Sequence, residues 1–200
     1  MTWELAVYGL LGVVLVGGFA WYERSRPPAR MVALVAALAA LAVAGRLVFA
    51  AIPNVVATTD IVLITGYAVG AAPGFAVGAL AAVVSNLWLG QGPWTPWQML
   101  AWGGCGVVGA LAAPLLRSRW ALALACFLLG FAFSGLMDVW EWFSFYPHTW
   151  AAFWTVHARG FPFDAAHAIG NLVIALAAGP ELRRMLERWH RRSEAEVVWA

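Results

Sequence analysis

Apolar runs of helix length, separated by short polar or turn-forming stretches, repeat along the whole chain. Seven of them predict seven helices, at residues 3–22, 31–51, 60–71, 74–89, 96–116, 120–143 and 163–186. The breaks carry recognisable turn chemistry. Pro27-Pro28 lies in the first, Pro53 follows the second run, and Ala72-Pro73-Gly74 parts the third from the fourth. Arg117-Ser118-Arg119 makes a tight basic turn between the fifth and sixth. Pro96 falls in the first turn of the fifth run, where it costs no hydrogen bond. Residues 144–162 read as a long aromatic loop, and 188–200 as an arginine-rich tail.

Composition names the solvent these runs meet. Of 200 residues, 63% are hydrophobic and 11% charged, where a soluble domain carries roughly a quarter charged. Mean hydropathy is +0.78. A bilayer-spanning helix needs ~20 mostly apolar residues, so the length holds about six or seven spans and little else. The third and fourth runs are short for full spans. The expected fold is all-α, a polytopic membrane helix bundle without a soluble domain. The first run lacks a basic leader, and Trp21-Tyr22-Glu23-Arg24 follows it in place of a small-residue cleavage site. It reads as a membrane helix rather than a signal peptide.

Charge adds an orientation. All twelve basic residues are arginine. If the loops alternate sides, Arg24, Arg26, Arg30, Arg117, Arg119, Arg183, Arg184, Arg188, Arg191 and Arg192 share one side, and Arg46 and Arg159 the other. The positive-inside rule makes the first side cytoplasmic, with the N-terminus outside and the C-terminus inside. Cys105 and Cys126 lie within apolar runs and read as small buried hydrophobes, with neither disulfide nor metal spacing.

A charge inside a membrane helix costs ~2.5–3.5 kcal/mol on insertion scales, so each one asks for a reason. Arg46, Asn86, Gln91, Gln98, Asp138, Glu141, Asp164, His167 and Asn171 all fall toward the outer face. Asp164, His167 and Asn171 are spaced to share one helix face. Either they form structural pairs, for example Arg46 with Asp138 or Glu141, or they line a ligand cavity open to the outside. His167 on its own reads as a hydrogen-bonded core histidine. Trp88, Trp94, Trp97, Trp102, Trp140, Trp142, Trp150 and Trp154 crowd the same side. A membrane-interface belt explains some of them, but its absence from the inner side points to an aromatic-lined site or lid. Small residues recur at four-residue spacing, as Ala36, Ala40 and Ala44, as Gly66 and Gly70, and as Gly74 and Gly78. Such rows serve either packing within the chain or docking of another membrane subunit. A Walker motif is impossible without lysine, and HExxH and GxSxG are absent, so the chain reads as a non-enzyme.

The stretch from Gly45 to Gly109 resembles the substrate-binding S component of energy-coupling factor (ECF) vitamin transporters. The resemblance rests on Gly45-Arg46, Ile52-Pro53-Asn54, Asp60, TGYAVGAAPGF from Thr65 to Phe75, Ser85-Asn86, GQGPWTPWQM from Gly90 to Met99, and Trp102-Gly103. It covers about a third of the chain, and the remaining helices fit only by number and hydropathy. It implies a six-helix core, here at residues 31–187, and the chain departs from that pattern by one extra transmembrane helix within residues 1–30. It also implies a bacterial cytoplasmic-membrane location and a vitamin site reached from outside, with the vitamin as substrate and no catalytic cofactor. The implied partners are a membrane-embedded T component, docked through Ala36, Ala40 and Ala44, and two cytoplasmic ABC ATPases that drive uptake. Nucleic acid has no part in it. Asn54, Asp60 and Tyr67 join the candidate binding residues on this ground. Cobalamin suits a Trp-rich mouth, and riboflavin, a queuosine precursor or another vitamin stays open.

Two other readings compete. His167 and Asn171 form the HxxxN pattern of CAAX-type intramembrane proteases, but their EExxxR partner is missing, and Asp138-Val139-Trp140-Glu141 does not replace it. A zinc site would want more than one well-placed histidine, and His148 and His157 fall in the expected loop. The last reading is a structural membrane protein without a ligand.

Overall fold

The computed structural model describes residues 3–198. Among these it contains seven α-helices and no strand: α1 (Trp3–Arg24), α2 (Ala29–Val48), α3 (Thr58–Val69), α4 (Ala71–Leu89), α5 (Thr95–Leu111), α6 (Arg119–Phe145) and α7 (Trp150–Val198). Four of the helices, α2, α4, α6 and α7, are long and apolar enough to cross a membrane. α3 has 12 residues, which at ~1.5 Å per residue falls well short of a bilayer's hydrocarbon thickness. Leu111, Leu115, Leu128 and Val13 are among many large apolar side chains left exposed on the bundle's girth, a surface suited to lipid.

Helix ends follow local chemistry. α2 begins after Pro27-Pro28 and gives way before Pro53 to a turn in which Asn54 takes a left-handed φ of 57°. The break between α3 and α4 falls at Gly70 (φ 109°), a conformation that suits glycine, and not at Ala72-Pro73-Gly74. Pro73 sits inside the first turn of α4, whose N–H groups have no intrahelical partner anyway. α5 stops at Leu111 rather than running to 116, because Pro114 disfavours helix in the residue before it. Ser118 caps α6 by accepting from the Ala121 N–H at 3.0 Å.

The largest departure concerns residues 144–162, expected as a long loop. Helix resumes at Trp150 after only a short turn. Thr149 supplies the cap, its Oγ1 accepting from the Ala152 N–H at 3.2 Å. Ala151, Ala152 and Ala158 then favour helix, and α7 carries Pro162 and Pro180 inside one 49-residue run. The 188–200 tail is likewise helical through Val198, the last described residue.

The two kinds of small-residue row separate. Gly66, Gly74 and Gly106 meet where α3, α4 and α5 cross. A Cβ on Gly66 would lie 1.8 Å from the Gly106 carbonyl oxygen, and one on Gly74 2.8 Å from the Gly66 Cα. Gly78 abuts the backbone of Trp102 in the same way. These glycines let backbones touch inside the chain. Ala36, Ala40 and Ala44 instead lie exposed on α2, whose opposite face buries Val35, Leu38, Ala39, Ala42 and Val43. α1 packs on the bundle through Leu11, Leu15 and Phe19, with Phe19 edge-on to Phe75 of α4 at 6.1 Å. Gly130 on α6 and Ala168 on α7 bring those two helices into close contact.

Candidate functional site

Up-and-down connections bring the C-terminal ends of α2, α4 and α6 together with the N-terminal ends of α3 and α5 and the middle of α7. The polar residues spread along the sequence therefore gather at one end of the bundle, where they sort into three groups.

The first is built on Arg46. Its guanidinium donates to Ser85 Oγ at 2.5 Å and Asn86 Oδ1 at 2.7 Å, and lies 4.8 Å over the Trp102 ring. Asn86 uses both amide hydrogens, donating to Thr95 Oγ1 and Gln98 Oε1, each at 2.8 Å. Thr95 donates on to Gln91 Oε1 at 2.9 Å, and Gln91 Nε2 donates to the Val83 carbonyl at 2.7 Å. The network ties α2, α4 and α5 together, and its members satisfy one another, as buried polar groups must. Arg46 does not pair with Asp138 or Glu141, because its partners are the neutral groups of α4.

The second is a layered stack in the core. Trp102 lies on Phe133 (4.4 Å, 23°), and Phe133 on His167 (5.0 Å, 16°), so Arg46, Trp102, Phe133 and His167 form four successive layers. His167 is 1% exposed. Its Nδ1 lies 3.0 Å from the Asn54 carbonyl, which can only accept, so Nδ1 carries the hydrogen. Nε2 is then an acceptor for the Thr59 hydroxyl at 3.2 Å. That hydroxyl in turn accepts from the Trp102 indole N–H at 3.2 Å. Every atom of this relay has a partner, and His167 is a hydrogen-bonded core residue. Asn54 clasps the same region from the loop, donating from Nδ2 to the Phe163 carbonyl at 2.8 Å. Asn171, one turn deeper than His167, points Nδ2 toward the Cys126 carbonyl at 3.5 Å, while its buried Oδ1 has no partner.

The third is a cavity of about 350 Å³ between α6 and α7, lined by Asn54, Gln98, Phe133, Ser134, Met137, Asp138, Glu141, Gly160, Phe163 and Asp164. Of the sequence candidates, Asn54, Gln98, Asp138, Glu141 and Asp164 line it. Gln98 joins it to the Arg46 network, and Phe133 joins it to the stack. Glu141 accepts from the Tyr146 hydroxyl at 3.4 Å, and Arg159 donates to that same hydroxyl at 2.5 Å. Asp138 and Ser134 are buried, and Asp138 Oδ2 and Ser134 Oγ have no hydrogen-bond partner. Ser134, Met137, Phe133, Phe163 and Gly160 were invisible as site residues in the sequence. The one available signal was Ser134, a turn before Asp138 on the same helix face.

Several candidates stand elsewhere. Asp60 is buried in an apolar crevice with Gly45, Ala57, Ile61, Ile174 and Leu182, and the Cys126 thiol lies against it. Tyr67 is at the opposite, arginine-rich end, where it donates to Glu187 at 3.0 Å beside Arg183 and Arg117. The tryptophans do not line the cavity, contrary to the aromatic-lined site expected of them. Trp102 is core, and Trp88, Trp150 and Trp154 are exposed. Trp94 sits edge-on to Trp140 at 5.9 Å, Trp97 lies 6.4 Å from Phe143, and Trp142 donates to the Pro147 carbonyl at 3.1 Å. These rings form a cap at the bundle's end, and the cavity's aromatic walls are phenylalanines. Among the described residues no three His, Cys, Asp or Glu side chains are grouped to hold a metal ion.

No protein-family model, no curated protein and no solved structure matches the chain. Its function is therefore argued from the geometry and from the sequence pattern.

Proposed function

We propose that this chain is the substrate-binding subunit of an ECF-type importer. In this reading α2 to α7 are the S-component-like core and α1 is an addition docked on α4 and α5. The polar end faces outward, the arginine-rich end faces the cytoplasm, and a vitamin or related small molecule enters between α6 and α7. A T component then docks, and two ATPases supply the energy for release inside.

The observation that carries this reading is the cavity itself: polar groups with unmet hydrogen bonds, held at one end of a hydrophobic bundle by the Arg46 network and the His167 relay. Buried polar atoms without partners are costly, and a ligand that supplies them offsets that cost. At about 350 Å³ the cavity lies near the small end of the roughly 300–1,000 Å³ typical of ligand pockets. That size favours a vitamin of one or two rings over a corrin such as cobalamin. Two further features fit. Ala36, Ala40 and Ala44 leave a smooth exposed stripe on α2 where the resemblance puts T-component docking. His167 has both ring nitrogens engaged in the core, which leaves neither free for the chemistry of an intramembrane protease.

The test is binding by the purified protein in lipid nanodiscs. Mass spectrometry of the released small-molecule fraction, followed by calorimetry against a panel of water-soluble vitamins, should show one ligand bound at a single site. A panel without any binder would overturn the reading. Ala36→Leu with Ala40→Leu should abolish co-purification with a co-expressed T component while leaving ligand affinity unchanged.

A further inference from the structure

The chemistry of the cavity wall specifies more than the presence of a ligand. Three carboxylates, Asp138, Glu141 and Asp164, line it, and no arginine or histidine does. Glu141 is already served through Tyr146, which is backed by Arg159. Asp138 and Asp164 are not served in this way. They stand close enough to act on each other electrostatically, and Ser134 stands beside Asp164. His157 is near enough to act on both, but it lies outside the lining and its Nδ1 is committed to the Phe153 carbonyl at 3.0 Å. Asp138 is 7% exposed and Ser134 4%, and no donor reaches Asp138 Oδ2 or Ser134 Oγ. The backbone closes in on the carboxylate, for a Cβ on Gly160 would lie 2.8 Å from Asp138 Oδ1. The space for a counter-charge is therefore in the cavity. Its remaining walls, Phe133, Phe163 and Met137, are the apolar and aromatic surfaces against which an alkylammonium or heteroaromatic cation packs well.

We propose that the ligand of this cavity is an organic cation, a protonated amine or quaternary ammonium, whose charge sits between Asp138 and Asp164 and whose body packs against Phe133 and Phe163. This rests on the binding-subunit reading above and narrows it to one charge class. Like charges held together in a partly dry site repel, and a cation between them relieves both at once. Ser134 completes the site as an acceptor for an ammonium hydrogen.

Three probes with one skeleton and three charges test this on the full chain in nanodiscs: phenethylamine, 3-phenylpropanamide and 3-phenylpropionate. Calorimetry should show phenethylamine binding at least tenfold tighter than the amide, and no binding of the carboxylate. Asp138→Asn and Asp164→Asn should each weaken phenethylamine at least tenfold and leave the amide unchanged. Asp138→Asn should melt at or above the wild-type temperature without ligand, because it relieves the repulsion from Asp164 and Glu141 at a carboxylate oxygen that has no hydrogen-bond partner; this separates lost binding from lost folding. The proposal is overturned if the amide or carboxylate binds as tightly as the amine, if Asp138→Asn binds the amine normally, or if Ca²⁺ displaces it. A vitamin of neutral or negative charge that binds in this cavity would sink the cation assignment alone and leave the binding subunit standing. No binding by any probe and by any vitamin would remove both.

Discussion

Replacing His167 with phenylalanine separates a core histidine from a ligand contact. Phenylalanine keeps the ring on Phe133 but removes both hydrogen bonds, to the Asn54 carbonyl and from the Thr59 hydroxyl. Leaving a buried polar group without its partner costs roughly 1–3 kcal/mol. Thr59 keeps the Trp102 indole as a donor, so its share falls at the low end. Together the two losses come to ~2–4 kcal/mol on that scale. For a chain of this length each kcal/mol moves the melting temperature by about 2–4 °C, so the expected drop is roughly 5–15 °C. The assay is a thermal melt of purified protein in one fixed detergent, followed by tryptophan fluorescence. Thr59→Val supplies the second arm. Residues sharing a hydrogen bond couple by ~0.5–3 kcal/mol, so the double variant should cost less than the sum of the singles. A His167→Phe protein that melts like wild type but no longer binds its ligand would refute the reasoning, and would make the histidine a contact residue instead.

The remaining predictions use the same melt. Gly66→Ala forces a methyl to within 1.8 Å of the Gly106 carbonyl and should cost at or above the upper end of the ~1–3 kcal/mol typical of overpacking. Gly135→Ala in α6 meets nothing within 4 Å and should instead raise stability by ~0.5–1 kcal/mol through helix entropy. Arg46→Met strands the Asn86 amide oxygen and should cost ~1–3 kcal/mol. Arg46→Lys should recover only part of that, because an ammonium does not stack on Trp102 as a guanidinium does. Cys105 and Cys126 are buried, so a maleimide should label neither thiol in the folded protein and both after SDS unfolding, with whole-protein mass as the readout.

The sequence by itself determined the solvent, the element type and the two-ended distribution of charge. Long apolar runs broken by proline and glycine can satisfy their backbone in lipid only as helices, and the breaks from α1 to α6 fall within a few residues of such a signal, while the start of α7 is set by an overlooked cap. Thr149 was that cap. Its hydroxyl starts α7 twelve residues before the proline that looked like the boundary, because proline interrupts a helix without always ending it. The gathering of Arg46, Asn86, Gln98, Asp138 and His167 at one end was legible too, since alternating helices bring matching ends together. Pairing was not. Coulomb's law favours Arg46 with Asp138, yet α4 places Ser85 and Asn86 under the guanidinium, and Arg46 is satisfied there. His167 and Asp164 are three residues apart on one helix, but one faces Thr59 in the core and the other the cavity, a difference set by which neighbour each meets across α3 and α6. Tyr67 shares a motif with the outer residues but lies at the opposite end, because a helix carries its two ends to different places, whereas Asp60 follows Thr59 at the polar end of α3 and is turned away into an apolar crevice. Rotation of each helix about its axis, fixed by glycine contacts such as Gly66 against Gly106, is what only the tertiary structure decides. That rotation turns a set of polar residues into a satisfied framework and a cavity with unmet charge.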